Sequence, residues 1–94
     1  MRVLRYEVPV DDEWHSFQLS GKIYPFVNAP FPHVVEFWAL DSDRHIVNRK
    51  FRVVGTGQPL PFSTRIDISY DYIGTAIFKN EVGRLVWHLF EEKV

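Results

Sequence analysis

Apolar and polar residues alternate with a period of two through most of this 94-residue chain. Leu4, Tyr6 and Val8, for example, alternate with Arg5 and Glu7. Because successive side chains of a β-strand point to opposite faces, this pattern buries one face of each segment. Comparable strand patterns cover residues 3–9, 15–19, 34–40, 47–54, 62–70, 72–78 and 85–90.

These segments predict an all-β fold, a small antiparallel sandwich or barrel of six to seven strands, formed by residues 1–94 as a single domain. Val34 to Leu40 is almost continuously apolar, which favours a central strand. Gly74 lies inside a strand pattern, which indicates a bulge or a close backbone approach. We expect four large side chains in the core: Phe37, Trp38, Trp87 and Leu89.

The residue types that usually form catalytic or metal-binding sites occur here without the spacing that such sites need. The chain has no cysteine, which excludes disulfides, thiolate metal sites and a thiol nucleophile. Its four histidines lack a metal-site spacing, and none of its serines lies in a G-x-S-x-G context. We therefore expect no enzymatic activity, no cofactor and no bound metal. His88 is interpreted as a partly buried, hydrogen-bonded side chain.

Glu36 is the one acidic residue placed inside the most apolar strand pattern. A buried carboxyl group with a raised pKa would be a candidate catalytic acid. The alternative, which we favour, is a carboxylate that faces solvent or pairs with an arginine such as Arg5 or Arg52, because buried carboxylates are usually paired.

A short basic run, Arg44, Arg49, Lys50 and Arg52, surrounds Phe51. Small β-barrels that bind single-stranded nucleic acid combine cations with rings in this way. However, Phe51 alternates with Val47 and Val53, so its ring is expected to point into the core. The net charge is −1, which gives no overall attraction to phosphates. Nucleic-acid binding is therefore the alternative function rather than the favoured one.

The segment Tyr24 to Pro32 contains three prolines in nine residues, which predicts a loop or a sheet edge. It also carries four large apolar side chains, Tyr24, Phe26, Val27 and Phe31. Either these side chains fold back onto the core as a lid, or they form an exposed apolar patch that binds a partner. We predict the second arrangement, with an unidentified protein or a second copy of the chain as the partner.

Nothing in the sequence predicts contact with a membrane. No apolar run approaches the roughly 20 residues of a membrane span. The first residues also lack the apolar region of a signal peptide. We expect a cytoplasmic protein.

Five segments occur together and in order: LRYEVPV (4–10), VEFWAL (35–40), FRVVGTGQPLP (51–61), YIGT (72–75) and LVWHLFE (85–91). In this combination the chain resembles a family of small uncharacterised proteins encoded by actinobacteria and, very often, by their bacteriophages. The resemblance implies a phage-encoded protein but no activity. The sequence therefore predicts a non-enzymatic β-domain that binds a protein, either a host factor or a virion component.

Overall fold

The structure, a computed structural model, describes residues 2–42, 45–58 and 69–93. These residues form seven antiparallel strands: β1 (Arg2–Pro9), β2 (His15–Leu19), β3 (Ile23–Phe31), β4 (Val34–Asp41), β5 (Val47–Gly55), β6 (Ser69–Asn80) and β7 (Gly83–Lys93). The strands lie in two sheets, ordered β1-β4-β3 and β2-β5-β7-β6. The predicted all-β sandwich is confirmed. Within the described ranges no helix is long and apolar enough to cross a membrane.

The three-stranded sheet is organised around β4, the strand that the sequence predicted to be central. β1 pairs with it in unbroken register from Arg2↔Asp41 to Pro9↔Val34. β3 pairs with its other edge, but with two register shifts. Val35, Phe37 and Ala39 of β4 point into the sandwich and are buried, as expected for alternating residues of a strand.

In the four-stranded sheet, β6 and β7 form a long hairpin closed by a tight turn at Asn80–Gly83. The predicted irregularity at Gly74 is confirmed, because the register of β6 shifts between Tyr72 and Gly74. The close approach is present as well, since a Cβ added at Gly74 would overlap the Val27 side chain. Strands β3 and β6, which belong to different sheets, therefore pack tightly at this position.

The core lies between the sheets and is dominated by rings. Phe37 and Phe51 have no solvent exposure, and their centroids lie 4.6 Å apart. Tyr6 stacks on Phe37, and Phe17 contacts both phenylalanines edge-on. Such aromatic pairs add attraction beyond the area that they bury.

Two of the four predicted core residues, Phe37 and Leu89, are fully buried, and Trp87 packs against the core. The prediction for Trp38 was wrong. Trp38 follows Phe37 directly, so strand alternation places it on the outer face of the three-stranded sheet, where it is half-buried. Glu36, two residues before Trp38, is the one polar residue of this run and marks the same outer face.

The proline-rich segment is an edge strand, which was one of the two predicted alternatives. It forms β3, which among the described strands pairs only with β4. The predicted strand at 62–70 lies largely outside the described residues, and β6 begins at Ser69.

One buried ion pair joins the strands of the four-stranded sheet. The Arg49 guanidinium on β5 donates to both carboxylate oxygens of Glu91 on β7, with Nε–Oε2 at 2.5 Å and Nη2–Oε1 at 2.8 Å. Its Nη1 also donates to the Gly21 carbonyl oxygen at 3.0 Å. Glu91 is only 3% exposed, so this two-point contact compensates a charge that water cannot reach.

Candidate functional site

The two phenylalanines of β3 are the most exposed aromatic rings of the described three-stranded sheet. Phe26 is 68% exposed and Phe31 is 57% exposed, as the sequence predicted for a surface patch. Phe26 alternates with the inward-facing Val27, and Phe31 pairs with Val34 at the end of the strand. The Phe31 ring also stacks on His33, with centroids 6.0 Å apart. Leaving such rings in water is unfavourable, and exposed apolar patches often mark interaction sites.

The other two residues of the predicted partner surface are less accessible. Tyr24 is half-buried. Val27 packs against the core and covers Gly74 of β6. The segment therefore combines both arrangements that the sequence left open, because Val27 faces inward while Phe26 and Phe31 face outward. A role of these four residues in partner binding stays a prediction.

β3 is poorly suited to pair with a further strand through its backbone. Pro25 and Pro30 lack an N–H, and both register shifts fall within this strand. β6 of the other sheet also packs closely against β3, as the contact between Val27 and Gly74 shows. These features are those by which natural proteins protect sheet edges. A partner at β3 would therefore contact the rings rather than the backbone.

A buried carboxylate fixes β3 between its two register shifts. Glu36 of β4 is 6% exposed. Its Oε1 accepts a hydrogen bond from Asn28 Nδ2 of β3 at 2.8 Å, and its Oε2 accepts one from Arg5 Nη1 of β1 at 2.8 Å. The predicted pairing with Arg5 is confirmed, whereas the contribution of Asn28 was missed.

Arg5 also relieves a repulsion within the sheet. Glu7 and Glu36 lie directly opposite each other on β1 and β4, where like charges are destabilising. The Arg5 guanidinium lies between them, with Nη2 at 3.6 Å from Glu7 Oε1. The hydrogen bond from Asn28 and, to a lesser extent, the bond and charge of Arg5 lower the pKa of Glu36 against the opposing effect of burial. Glu36 therefore lacks the raised pKa that the catalytic alternative required.

This pKa shift predicts a pH-dependent stability. Because the pKa of Glu36 is lower in the folded state than its ordinary value of 4.5, its stabilising effect is complete above that value and is lost as the pH falls through the folded pKa. Glu36→Gln should therefore be less stable than the wild type at neutral pH. The difference should shrink in acid. Urea unfolding of both proteins at about pH 7 and about pH 3 measures this, and a constant difference would contradict the assignment.

His88 lies in a chain of hydrogen bonds on the outer face of the four-stranded sheet. Its Nε2 is 2.8 Å from Thr56 Oγ1, and its Nδ1 is 2.9 Å from Thr75 Oγ1. Thr75 is in turn hydrogen-bonded to Tyr72. The predicted partly buried, hydrogen-bonded histidine is confirmed. Tyr72 and Thr75 lie on β6 and Thr56 directly follows β5, so no spacing in the sequence indicated these contacts.

Arg44 lies outside the described residues, and the other three residues of the basic run are divided between the two faces of their sheet. Phe51 is buried as predicted, and Arg49 is engaged with Glu91. Lys50 is exposed on the outer face, and Arg52 lies in one row with Phe90 and Tyr72. Tyr72 is 57% exposed. An exposed ring and two cations therefore share this face, although the ring comes from β6 and not from the basic run.

Residues 55–58, at the end of β5, form a tight turn. Gln58 N donates to the Gly55 carbonyl oxygen at 3.1 Å, and Gln58 Oε1 accepts from Gly55 N at 2.5 Å. Gly57 has a φ of 86°, which a residue without a side chain adopts at little cost. In the described part of the chain, no group of three or more acidic or histidine side chains could hold a metal ion.

No curated protein and no solved structure matches the chain. A family described as a domain of unknown function, DUF7352, matches residues 1–94. An uncharacterised family was the expectation from the sequence motifs. Because the match covers the whole sequence, the chain belongs to the DUF7352 domain family.

Proposed function

We propose that this protein is a non-enzymatic binding protein that recognises a protein partner through the outer side of β3, with Phe26 and Phe31 as the anchors. The observation that carries the proposal is the exposure of both rings, 68% and 57%, on a strand that is otherwise well fixed. Aromatic side chains dominate the energetics of many interfaces when a partner buries them in apolar pockets.

The surroundings of the two rings reduce the entropic cost of binding. Pro25 and Pro30 restrict the backbone of β3, and Asn28, between the rings, is held by Glu36 at 2.8 Å. A preorganised surface loses less conformational entropy when it binds. Val27 supports the strand from the core side, and the half-buried Tyr24 completes the proposed surface.

The motif resemblance supports an origin in an actinobacterial phage, and with it a partner in the cytoplasm of the host cell. The partner would then be a host factor or a virion component that offers two apolar pockets. A second copy of this chain is the alternative partner. Sedimentation of the purified protein over a range of concentrations distinguishes self-association from a monomer that binds another protein.

Affinity capture from host lysate, analysed by mass spectrometry, tests the proposal. The wild type should retain a protein that Phe26→Ser/Phe31→Ser does not retain. The matched control is Ile46→Ser/Val82→Ser, which removes two apolar side chains that are also exposed but lie elsewhere. This control should capture the same protein as the wild type. Equal capture by all three proteins, or equal loss in both variants, would reject the β3 surface.

Single-stranded nucleic acid remains the second candidate ligand, because exposed Tyr72 shares a sheet face with Lys50 and Arg52. Phosphate contacts give an affinity that falls steeply with salt. We expect only weak binding of a random DNA strand at physiological salt. Sub-micromolar binding that Lys50→Glu/Arg52→Glu abolishes would favour this candidate over the protein partner.

A further inference from the structure

Strand β7 extends beyond the end of β5 and leaves a cavity beside the Gly55–Gln58 turn. Among the described residues, the pairing of β5 with β7 ends at Gly55↔Trp87, and Thr56 N continues it by donating to the Val86 carbonyl oxygen at 3.3 Å. A cavity of about 370 Å³ lies beside this end of β5. Its lining consists of Gly55, Thr56, Gln58, Arg84, Leu85, Val86 and Trp87.

The polar groups of this cavity are rich in donors. Arg84 has no ion-pair or hydrogen-bond partner among the described residues, and no acidic side chain of the described chain lines the cavity. Gln58 uses its Oε1 to accept from Gly55 N, which leaves its amide nitrogen as a donor. The lining indole of Trp87 has a buried Nε1 without an acceptor in the described structure. This nitrogen is inaccessible to solvent, so a ligand in the cavity would contact the ring of Trp87 rather than its N–H.

From these features we propose that the cavity binds a small organic carboxylate, with the carboxylate on Arg84 and an apolar body against Leu85 and Trp87. The planar guanidinium of arginine matches a carboxylate with two parallel hydrogen bonds. A single cation and a largely apolar lining suit a monoanion with a flat hydrocarbon part better than a phosphate dianion. This site lies on the four-stranded sheet and does not depend on the proposed surface on β3.

The resonance of the Trp87 indole N–H in a ¹H–¹⁵N spectrum provides a direct test, and Trp87→Phe assigns it. Titration with benzoate should shift this resonance saturably, whereas the neutral isostere benzamide and inorganic phosphate should not. Arg84→Gln should weaken benzoate binding about tenfold or more, because a hydrogen bond to a charged group is lost.

The matched control is Lys79→Gln, which removes the cation directly opposite Arg84 on the hairpin but outside the cavity lining. This variant should bind benzoate like the wild type. The proposal is overturned if benzoate produces no saturable shift, if benzamide binds equally well, or if Lys79→Gln weakens binding as much as Arg84→Gln. The comparison of benzoate with benzamide uses the wild-type protein and does not depend on the folding of any variant.

Discussion

Arg49→Ala should lower the free energy of unfolding by about 3–5 kcal/mol, because it leaves the buried carboxylate of Glu91 without its partner. Glu91 is almost inaccessible to water, so solvent cannot replace the lost interaction. The Gly21 carbonyl oxygen loses a donor in the same substitution. Urea unfolding at neutral pH measures the change.

Two further variants separate the effect of burial on stability from the effect of the ion pair itself. Arg2→Ala removes an exposed guanidinium that pairs with Asp41, and should cost less than about 1 kcal/mol. Replacing both Arg49 and Glu91 by apolar residues of similar volume, Arg49→Met with Glu91→Leu, should be much less damaging than Arg49→Ala alone. If Arg49→Ala costs no more than Arg2→Ala, the ion pair is not buried as described.

Phe37→Ala should also destabilise the protein by about 3–5 kcal/mol, because it leaves a cavity at the centre of the ring cluster formed with Tyr6, Phe17 and Phe51. Trp38→Ala removes an even larger ring from the next position of the same strand. Trp38 lies on the outer face and is half-buried, so its substitution should cost clearly less. Thermal unfolding of both variants compares the two faces of β4. A larger effect of Trp38→Ala would indicate that the core lies on the Trp38 face and not on the Phe37 face.

Much of the fold follows from local patterns, because a period of two requires only neighbouring residues. The pattern predicted β1, β2, β4, β5 and β7, and Gly74 indicated the bulge in β6. It did not predict β3 as a full strand, because prolines weaken a strand signal. It also failed to orient Trp38, although Glu36 lies two residues earlier and marks the same outer face.

The polar contacts were harder to predict because they join distant parts of the chain. Arg49 and Glu91 are 42 residues apart, and only the register of β5 with β7 brings them together. The hydrogen bonds between His88 and its neighbouring hydroxyls, and the cavity at Arg84, likewise depend on how strands pair and where they end. Glu36 was the exception, since an acid within an apolar strand requires a partner and Arg5 was a named candidate.

The proposal for β3 requires that Phe26 and Phe31 serve recognition and not stability. The melting temperature of Phe26→Ser/Phe31→Ser tests this most directly. Val27→Ser is the contrast, because Val27 lies on the same strand but packs against the core. The double variant should melt within about 2 °C of the wild type, as expected for exposed positions, whereas Val27→Ser should melt several degrees lower. A drop in the double variant as large as that of Val27→Ser would show that the rings belong to the core and would contradict the proposed surface.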